Sequence, residues 1–577
     1  MDISEAVLKL LRVLCMGYVA ASACASIVGF AAQNPVNNNG SATTTIKSEV
    51  QLVLVDAVVT GADGKPVEGL PKEEFQVFEN GKPQVITSFD EHKGVISSSS
   101  PLPSMPTKEF TNFSTTAKSD SVNVLLLDSL NTQAADQSFV RAQMIKYLEA
   151  AAAAPTGARV AIFTLGSRLR MVRGFTDDSS ALLAALEDRG MGLDPRVMRQ
   201  LATPAQKASD SRMVDSQMSQ EGRAAIRQFL EEEASGQARD RAWMTLQAFQ
   251  QLARFLSPIP GRKNLMWVSG SFPIDFFPHS AASPTKAGRY QADIQQTATQ
   301  LTAEQVAVYP ILATGLTTDT AQDGPDFTPP IPHDNDERAF NQISMETIAK
   351  DTGGKAFYNS NNLNQAMAQA IELGSHYYTI AYTPENTRLD GKYRRIELKT
   401  SNHKLRLSYR RGYYAASANF ISTTGSGKSA DLLMPLMAFG MPEFQQILYK
   451  VRYIKAKSEG KVADGNPDPL ESSARCSVDF AISVADLSLQ KSSDGVRRGH
   501  IEVMMTAFDK EGKLLNWDGD KGDIALDEKA YSESLKAGLQ MHREIGIPNQ
   551  ELLLRTGIYD LNSGKVGTVE LWISPGA

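Results

Sequence analysis

Residues 121–132, SVNVLLLDSLNT, constrain the fold more than any other stretch of the chain. Residues 122–127 are almost continuously apolar and too few for a helix, which is the pattern of a strand covered on both faces. The strand ends in four oxygen-bearing side chains, namely Asp128, Ser129, Asn131 and Thr132. Because ligands of open α/β sheets bind outside the carboxyl ends of such strands, we expect this polar cluster to lie at a binding edge.

Strand and helix patterns alternate between residues 120 and 374, which predicts a Rossmann-like α/β domain with a mostly parallel central sheet and helices on both faces. Residues 159–165 and 169–175 are close enough along the chain to form an antiparallel hairpin. A polar segment rich in Gln, Met, Arg and Ser, residues 190–240, has the pattern of a helical or mobile segment and is interpreted as an insertion. An amphipathic helix is predicted after it, at residues 243–256.

β patterns flank this region on both sides. Residues 48–92 and 376–414 alternate as short strands, and each segment is too small to bury a core alone. We therefore predict that they pair into one discontinuous β domain. Residues 437–577 contain regularly spaced strands and predict a C-terminal β-sandwich. The small and polar segments 93–119 and 415–436 are predicted to be linkers.

The first 33 residues have the pattern of a targeting segment. Lys9 and Arg12 precede an apolar run of small residues, which predicts a signal peptide. Two alternatives stay open, a retained membrane anchor and a lipoprotein signal cleaved before Cys24. Residues 34–47 are predicted to be a spacer. All three interpretations place the chain outside the cytoplasm: secreted, periplasmic or in the cell envelope.

Composition and short motifs limit the kinds of partner and the kinds of metal, disulfide or catalytic site that the chain is expected to have. The net charge of -6 and the pI of about 5.8 argue against a nucleic-acid partner. Three cysteines, two of them inside the targeting segment, leave no disulfide framework. Residues 518–523 (DGDKGD) depart from the calcium-loop pattern and are predicted to be a polar hairpin. No nucleophile–base set or paired carboxylates stand out, so an unrecognised hydrolase is kept only as a rival.

The order of elements in residues 120–374 resembles the von Willebrand factor type A (VWA) domain. More specifically, the chain is similar to the exported VWA-related proteins described from Acidobacteria. The segments that carry this second likeness are LVLVDAVVT (52–60), FQVFENG (75–81), GRKNL (261–265) and YTIAYTP (378–384).

The resemblance implies a metal-ion-dependent adhesion site, in which an Asp-x-Ser-x-Ser loop, a distant Thr and a distant Asp supply oxygens to Mg²⁺. Asp128 and Thr132 match the first and last loop positions, and Thr245 is the candidate for the distant Thr. Leu130 replaces a Ser, and Ser269 stands where the distant Asp is expected. The implied site for Mg²⁺ or another divalent cation is therefore degenerate. The alternative is that Asp128 caps the following helix while Asn131 and Thr132 bond backbone in the loop.

These patterns together predict an exported, non-enzymatic protein-interaction protein, acting as an adhesion or scaffold molecule. Its ligand-binding edge is expected to include Ser129, Asn131, Ser269 and Ser271. The expected partners are proteins at the cell envelope or outside the cell, and the membrane is reached only through the signal or a lipid anchor. A metal-independent structural scaffold of the envelope is the alternative.

Overall fold

The structure is a computed structural model that describes residues 52–94, 108–113, 121–153, 157–187, 220–271, 297–313, 333–358, 362–415, 432–459 and 474–573. The predicted targeting segment 1–33, with its candidate lipidation site, and the spacer 34–47 lie outside these ranges. So do residues 190–219 of the predicted insertion and parts of both predicted linkers. No helix within the described ranges is long and apolar enough to cross a membrane.

The strands, in chain order, are β1 (Val53–Thr60), β2 (Phe75–Glu79), β3 (Lys82–Gln84), β4 (Ile86–Lys93), β5 (Glu109–Thr111), β6 (Ser121–Asp128), β7 (Val160–Leu165), β8 (Leu169–Thr176), β9 (Arg262–Ser269), β10 (Val306–Leu312), β11 (His376–Tyr382), β12 (Tyr393–Thr400), β13 (Arg406–Ser408), β14 (Gly412–Tyr414), β15 (Tyr449–Glu459), β16 (Ala474–Ile482), β17 (Gln490–Lys491), β18 (Arg497–Phe508), β19 (Leu514–Leu526), β20 (Leu539–Ile547), β21 (Leu552–Asp560) and β22 (Val566–Ile573).

The helices are α1 (Ala134–Ala153), α2 (Ser179–Glu187), α3 (Gln220–Leu256), α4 (His333–Thr352), α5 (Leu363–Ser375) and α6 (Glu528–Ala537). Residues 297–303 are also helical. Two short 3₁₀ helices span Lys72–Glu74 and Met434–Met437.

The central sheet has the strand order β10-β9-β6-β7-β8. Strands β10, β9, β6 and β7 are parallel to their neighbours, and β8 returns antiparallel to β7. The predicted antiparallel hairpin is therefore confirmed, and the sheet is mostly parallel as expected. β6 lies at its centre and has all eight of its residues buried.

Side chains of β6 alternate between two apolar clusters. Val122, Val124 and Leu126 belong to a cluster that includes residues of α3 and α4. Leu125 and Leu127 belong to a second cluster with residues of α1, α2 and α5. Because successive side chains of a strand point to opposite faces, helices cover both faces of the sheet, and the continuous apolar run reflects this.

Helix α3 corrects the predicted boundary of the insertion. Residues 190–240 were expected to form an insertion that is either helical or mobile, and a separate amphipathic helix was expected at residues 243–256. The structure has one continuous helix, Gln220–Leu256. Residues 220–240 are polar on most positions, so the periodicity that marks a helix packed on a sheet is absent there.

Strands from both flanks of the central region share two sheets. One has the order β13-β1-β11-β4 and the other β14-β12-β2-β3. Between them lies an apolar core to which both segments contribute, including Val55, Val77, Ile380 and Leu398. Each segment thus buries its apolar side chains against the other, although the two are far apart along the chain.

A buried acid ties these segments together. Glu79, at the end of β2, is 4% exposed. Its Oε2 accepts hydrogen bonds from the hydroxyls of Tyr382 (2.8 Å) and Tyr413 (2.9 Å). Its Oε1 lies 3.6 Å from Nη1 of Arg394, which is 2% exposed. Buried charges persist only when they are paired and hydrogen-bonded, so this cluster fixes β2 against three later strands.

The C-terminal block is β-rich, as predicted. One sheet has the order β20-β16-β15-β5, and in the other β18 pairs with β17, β19 and β21, with β22 beyond β21. One apolar core draws on both sheets. The prediction of a hairpin at residues 518–523 is wrong, because these residues lie inside β19, paired along its length with β18. Pairing with the long strand β18 decides the structure of residues 518–523, although their composition is typical of a turn.

Both predicted linkers contain ordered elements. Within segment 93–119, β5 pairs with β15 of the C-terminal block. The buried amide of Asn112 donates to the carbonyls of Phe444 and Ile447, each at 2.8 Å. Within segment 415–436, Leu433 and Leu436 are buried in the same apolar cluster as one face of the central sheet. Neither segment is simply a linker where the structure describes it.

We predict that Glu79→Ala destabilises the two small sheets, because it leaves two buried phenols without their acceptor and removes the buried carboxylate that is paired with the Arg394 guanidinium. Removing one partner of a buried pair costs about 3–5 kcal/mol, and we expect a loss of this size in the free energy of unfolding by urea. The matched control is Glu397→Ala, a partly exposed acid on β12, for which a change within about 0.5 kcal/mol is expected. Equal unfolding midpoints for the two variants contradict the assigned role.

Candidate functional site

The polar side chains predicted to form a site come together at the carboxyl edge of the central sheet. Asp128 ends β6, and Ser269 ends the neighbouring strand β9. Asn131 and Thr132 lie in the loop that leads to α1, and Thr245 lies on α3. All five are at most 3% exposed.

The Asp128 carboxylate is surrounded by hydrogen-bond donors. Its Oδ2 accepts from Nδ2 of Asn131 (2.8 Å), Nε1 of Trp267 (2.9 Å) and Oγ of Ser269 (2.9 Å). Its Oδ1 accepts from the backbone N–H of Asn131 at 3.0 Å. Burial raises the pKa of Asp128, while the bonds from Asn131, Trp267 and Ser269 act in the opposite direction. We call Asp128, Asn131, Thr245, Trp267 and Ser269 the Asp128 network.

Asn131 connects the loop to helix α3. Its Nδ2 donates to Oγ1 of Thr245 at 3.0 Å as well as to Asp128. The Thr245 hydroxyl donates in turn to the carbonyl of Arg241 at 2.8 Å. Because an amide nitrogen only donates, these two acceptors fix the orientation of the Asn131 amide. Its Oδ1 is buried and accepts no hydrogen bond.

The remaining residues of the predicted edge join the loop after β6 to the residues that follow β9. The N–H of Gly270 donates to Oγ1 of Thr132 at 2.8 Å. The hydroxyl of Ser271 donates to the carbonyl of Asn131 at 3.1 Å. Ser269 Oγ also lies 2.7 Å from the Ser271 carbonyl, so its single proton is shared between that oxygen and Asp128. Gly270 packs closely, since a Cβ there would meet the backbone of Thr132 at 3.1 Å.

Two positions of the loop have other environments. Leu130 is fully buried and belongs to the apolar cluster on the α3 face of the sheet. Leu130 is therefore a core side chain and offers no oxygen to the loop. Ser129 is half-buried, and its carbonyl accepts from Nε2 of Gln137 at 3.2 Å.

The alternative in which Asp128 caps the next helix is corrected by this geometry. Helix α1 begins at Ala134, and the backbone donor to Asp128 is Asn131, which precedes the helix. Thr132 accepts from Gly270, which follows β9, rather than from the first turn of α1. The Thr132 side chain does bond backbone, as that alternative supposed, but the Asn131 side chain bonds the side chains of Asp128 and Thr245.

These residues do not fit a divalent cation. Mg²⁺ requires about six oxygen lone pairs at roughly 2.0–2.1 Å. Here Oδ2 of Asp128 already receives two N–H groups and a hydroxyl, and Oγ1 of Thr132 and of Thr245 each receive an N–H. Within the described ranges, no group of three or more His, Cys, Asp or Glu side chains is arranged to hold a metal ion. A cation could enter only by displacing these donors.

Trp267 is the member of the network that sequence reasoning missed. It lies inside an apolar strand and has the pattern of a core residue. A signal was nevertheless present, because a buried indole N–H usually finds an acceptor. Asp128, at the end of the neighbouring parallel strand, was the nearest predicted polar group that could accept this hydrogen bond.

Comparisons with known proteins were made at the level of sequence and of structure. No family model matches the chain, and no curated protein sequence matches it. Among solved structures, it is similar to proximal thread matrix protein 1 from the mussel byssus, with 12% identity, 44% of this chain and 48% of that chain covered, and a TM-score of 0.23. The chain thus spans about half the length of the mussel protein.

Two bacterial structures are also similar over less than half of this chain. An aerotolerance-related membrane protein from Bacteroides fragilis has 14% identity, 43% of this chain and 98% of that chain covered, and a TM-score of 0.21. The conserved hypothetical protein BatB from Bacteroides thetaiotaomicron has 14% identity, coverages of 43% and 97%, and a TM-score of 0.22. Scores this low carry no argument about fold or function.

We predict that Asp128→Ala destabilises the central domain, because it removes the acceptor of the Trp267 indole and of the Asn131 backbone N–H, and one of the two acceptors of the Asn131 side-chain amide. Each such group costs about 1–3 kcal/mol, so a loss of about 2–4 kcal/mol in the free energy of unfolding is expected once relief of the buried charge is included. Ser129→Ala, one residue further, is the control and should change stability by no more than about 0.5 kcal/mol. Urea unfolding followed by circular dichroism measures both, and equal stability of the two variants counts against the network.

Proposed function

We propose that the chain is an exported, non-enzymatic protein-interaction or scaffold protein built on a VWA-like central domain. The observation that carries this proposal is the arrangement of the carboxyl edge of the central sheet. Two strand ends and a helix deliver seven candidate residues to one place, which is where open α/β sheets bind their ligands. Export is inferred from the targeting pattern of the sequence alone.

The state of these side chains favours binding over catalysis. Catalytic acids, bases and nucleophiles need a free lone pair or proton directed at a substrate. At this edge the carboxylate of Asp128 and the hydroxyls of Thr132, Thr245 and Ser269 are bonded to protein groups. Half-buried Ser129, Gly270 and Ser271 form its accessible part. Such a rigid, neutral rim suits contact with a protein surface, and the contact needs no metal.

The flanking β units support the scaffold aspect of the proposal. The apolar clusters of the central sheet also include residues of the flanking units, namely Val58 and Tyr377 on one face and Leu433 and Met504 on the other. In addition, the N–H of Met171 on β8 donates to the carbonyl of Gly440 at 2.8 Å. Fixed units of this kind hold a binding edge in a constant orientation.

We expect Ser271→Arg, a large side chain at the accessible part of the edge, to abolish capture of the partner from envelope extracts by the immobilised full chain. Ser532→Arg, the same change at an exposed position of α6, should leave capture intact. Capture should also be equal in Mg²⁺ and in EDTA. The measurement is quantitative mass spectrometry of the eluted proteins.

Each contrary result supports a different mechanism of partner binding. Capture that is lost in EDTA indicates metal-dependent adhesion, which the proposal excludes. Capture that persists in Ser271→Arg and is lost when the β units are altered indicates that these units, and not the edge, make the contact.

A further inference from the structure

The Asp128 network holds a carboxylate in the position where the resemblance places a cation ligand, yet it surrounds that carboxylate with N–H and O–H groups. We infer that the indole N–H of Trp267 takes the place of the cation, so that hydrogen bonds close this edge permanently. This inference does not depend on which partner the chain binds.

Electrostatics gives the first argument. A divalent cation and an N–H dipole both present positive charge to a carboxylate oxygen, and they exclude each other at one lone pair. Nε1 of Trp267 lies 2.9 Å from Oδ2 of Asp128, and Nδ2 of Asn131 lies 2.8 Å from the same atom. Ser269 supplies a third donor to that oxygen, at 2.9 Å. A carboxylate oxygen offers about two lone-pair directions, so Oδ2 is saturated.

Packing gives the second argument, because the indole cannot swing aside to admit an ion. Trp267 is 1% exposed. Its ring meets Phe249 edge to face, with centroids 4.8 Å apart and an interplanar angle of 83°. Phe249 lies one helical turn beyond Thr245 on α3, and Thr245 accepts from Asn131. One helix therefore supports both the indole and the loop amide that face Asp128.

The third argument is that each substitution away from the family pattern serves this closure. Ser269 is a donor to Asp128, where a second carboxylate would repel it. Leu130 fills the core and offers no lone pair. The network thus joins β6, β9 and α3 through side-chain bonds, and it gives the edge one arrangement in place of a metal-bound and a metal-free one.

The first test compares thermal unfolding of the full chain in EDTA and in increasing Mg²⁺, Mn²⁺ or Ca²⁺. Wild type should have the same Tm throughout, because the Asp128 network admits no cation. The double variant Trp267→Phe/Ser269→Asp removes the indole donor, keeps an aromatic ring against Phe249 and restores a carboxylate. Its Tm should lie below wild type in EDTA and rise with cation concentration.

Two results overturn the inference. The first is a cation-dependent rise in the Tm of wild type that Asp128→Asn abolishes. The second is a double variant that is folded by circular dichroism and whose Tm does not respond to any of the three cations.

A single substitution keeps the inference testable if the double variant does not fold. Trp267→Phe removes the indole N–H from the network, together with part of the ring volume at this buried position, and should lower the Tm by several degrees. Trp572→Phe is the matched control, since Trp572 is 51% exposed, and its Tm should equal that of wild type. A Trp267→Phe variant as stable as Trp572→Phe overturns the role assigned to the indole.

Discussion

A carboxylate that is almost fully buried must be met by donors, and the carboxyl edge of the central sheet is organised by that requirement. Asp128 is at the end of the middle strand, so the groups that reach it come from the adjacent strand, from the loop above and, through Asn131, from helix α3. Desolvation alone would force such a group to take up a proton. Four hydrogen bonds oppose it, and they also fix the relative positions of the elements that supply them.

The same edge is held together by structural contacts. The buried side chain of Leu130 contributes apolar burial worth about 1.5–3 kcal/mol. A serine at position 269 donates a bond where an aspartate would need a counter-ion. The carboxyl edge of this α/β sheet is thus filled by side chains that are bonded to one another.

The local sequence pattern predicted those strands that are covered by other elements on both faces. Residues 122–127 were expected to form a doubly covered strand, and the structure has Ser121–Asp128. Three features escaped prediction because distant partners decide them. β19 contains an Asp- and Gly-rich segment and is a strand only through β18. β5 is three residues in a Ser- and Pro-rich stretch. Trp267 has a core pattern, and only the neighbouring strand shows what its N–H meets. The gathering of polar residues at one edge was predictable, whereas their bonding was not.

The pairing of the first strands with late ones has a consequence for biogenesis. Asp56 on β1 bonds Thr379 on β11, which is 323 residues further along the chain, and Asn112 bonds a carbonyl 332 residues away. During synthesis from the N-terminus, β1 and β5 lack their hydrogen-bonding partner strands until the whole central domain has been made. Open edges are templates for wrong pairing, and non-local contacts form slowly. The strands of the central sheet can therefore pair before those of the small sheets, because β11 and β12 follow the central sheet in the chain and β15 follows both.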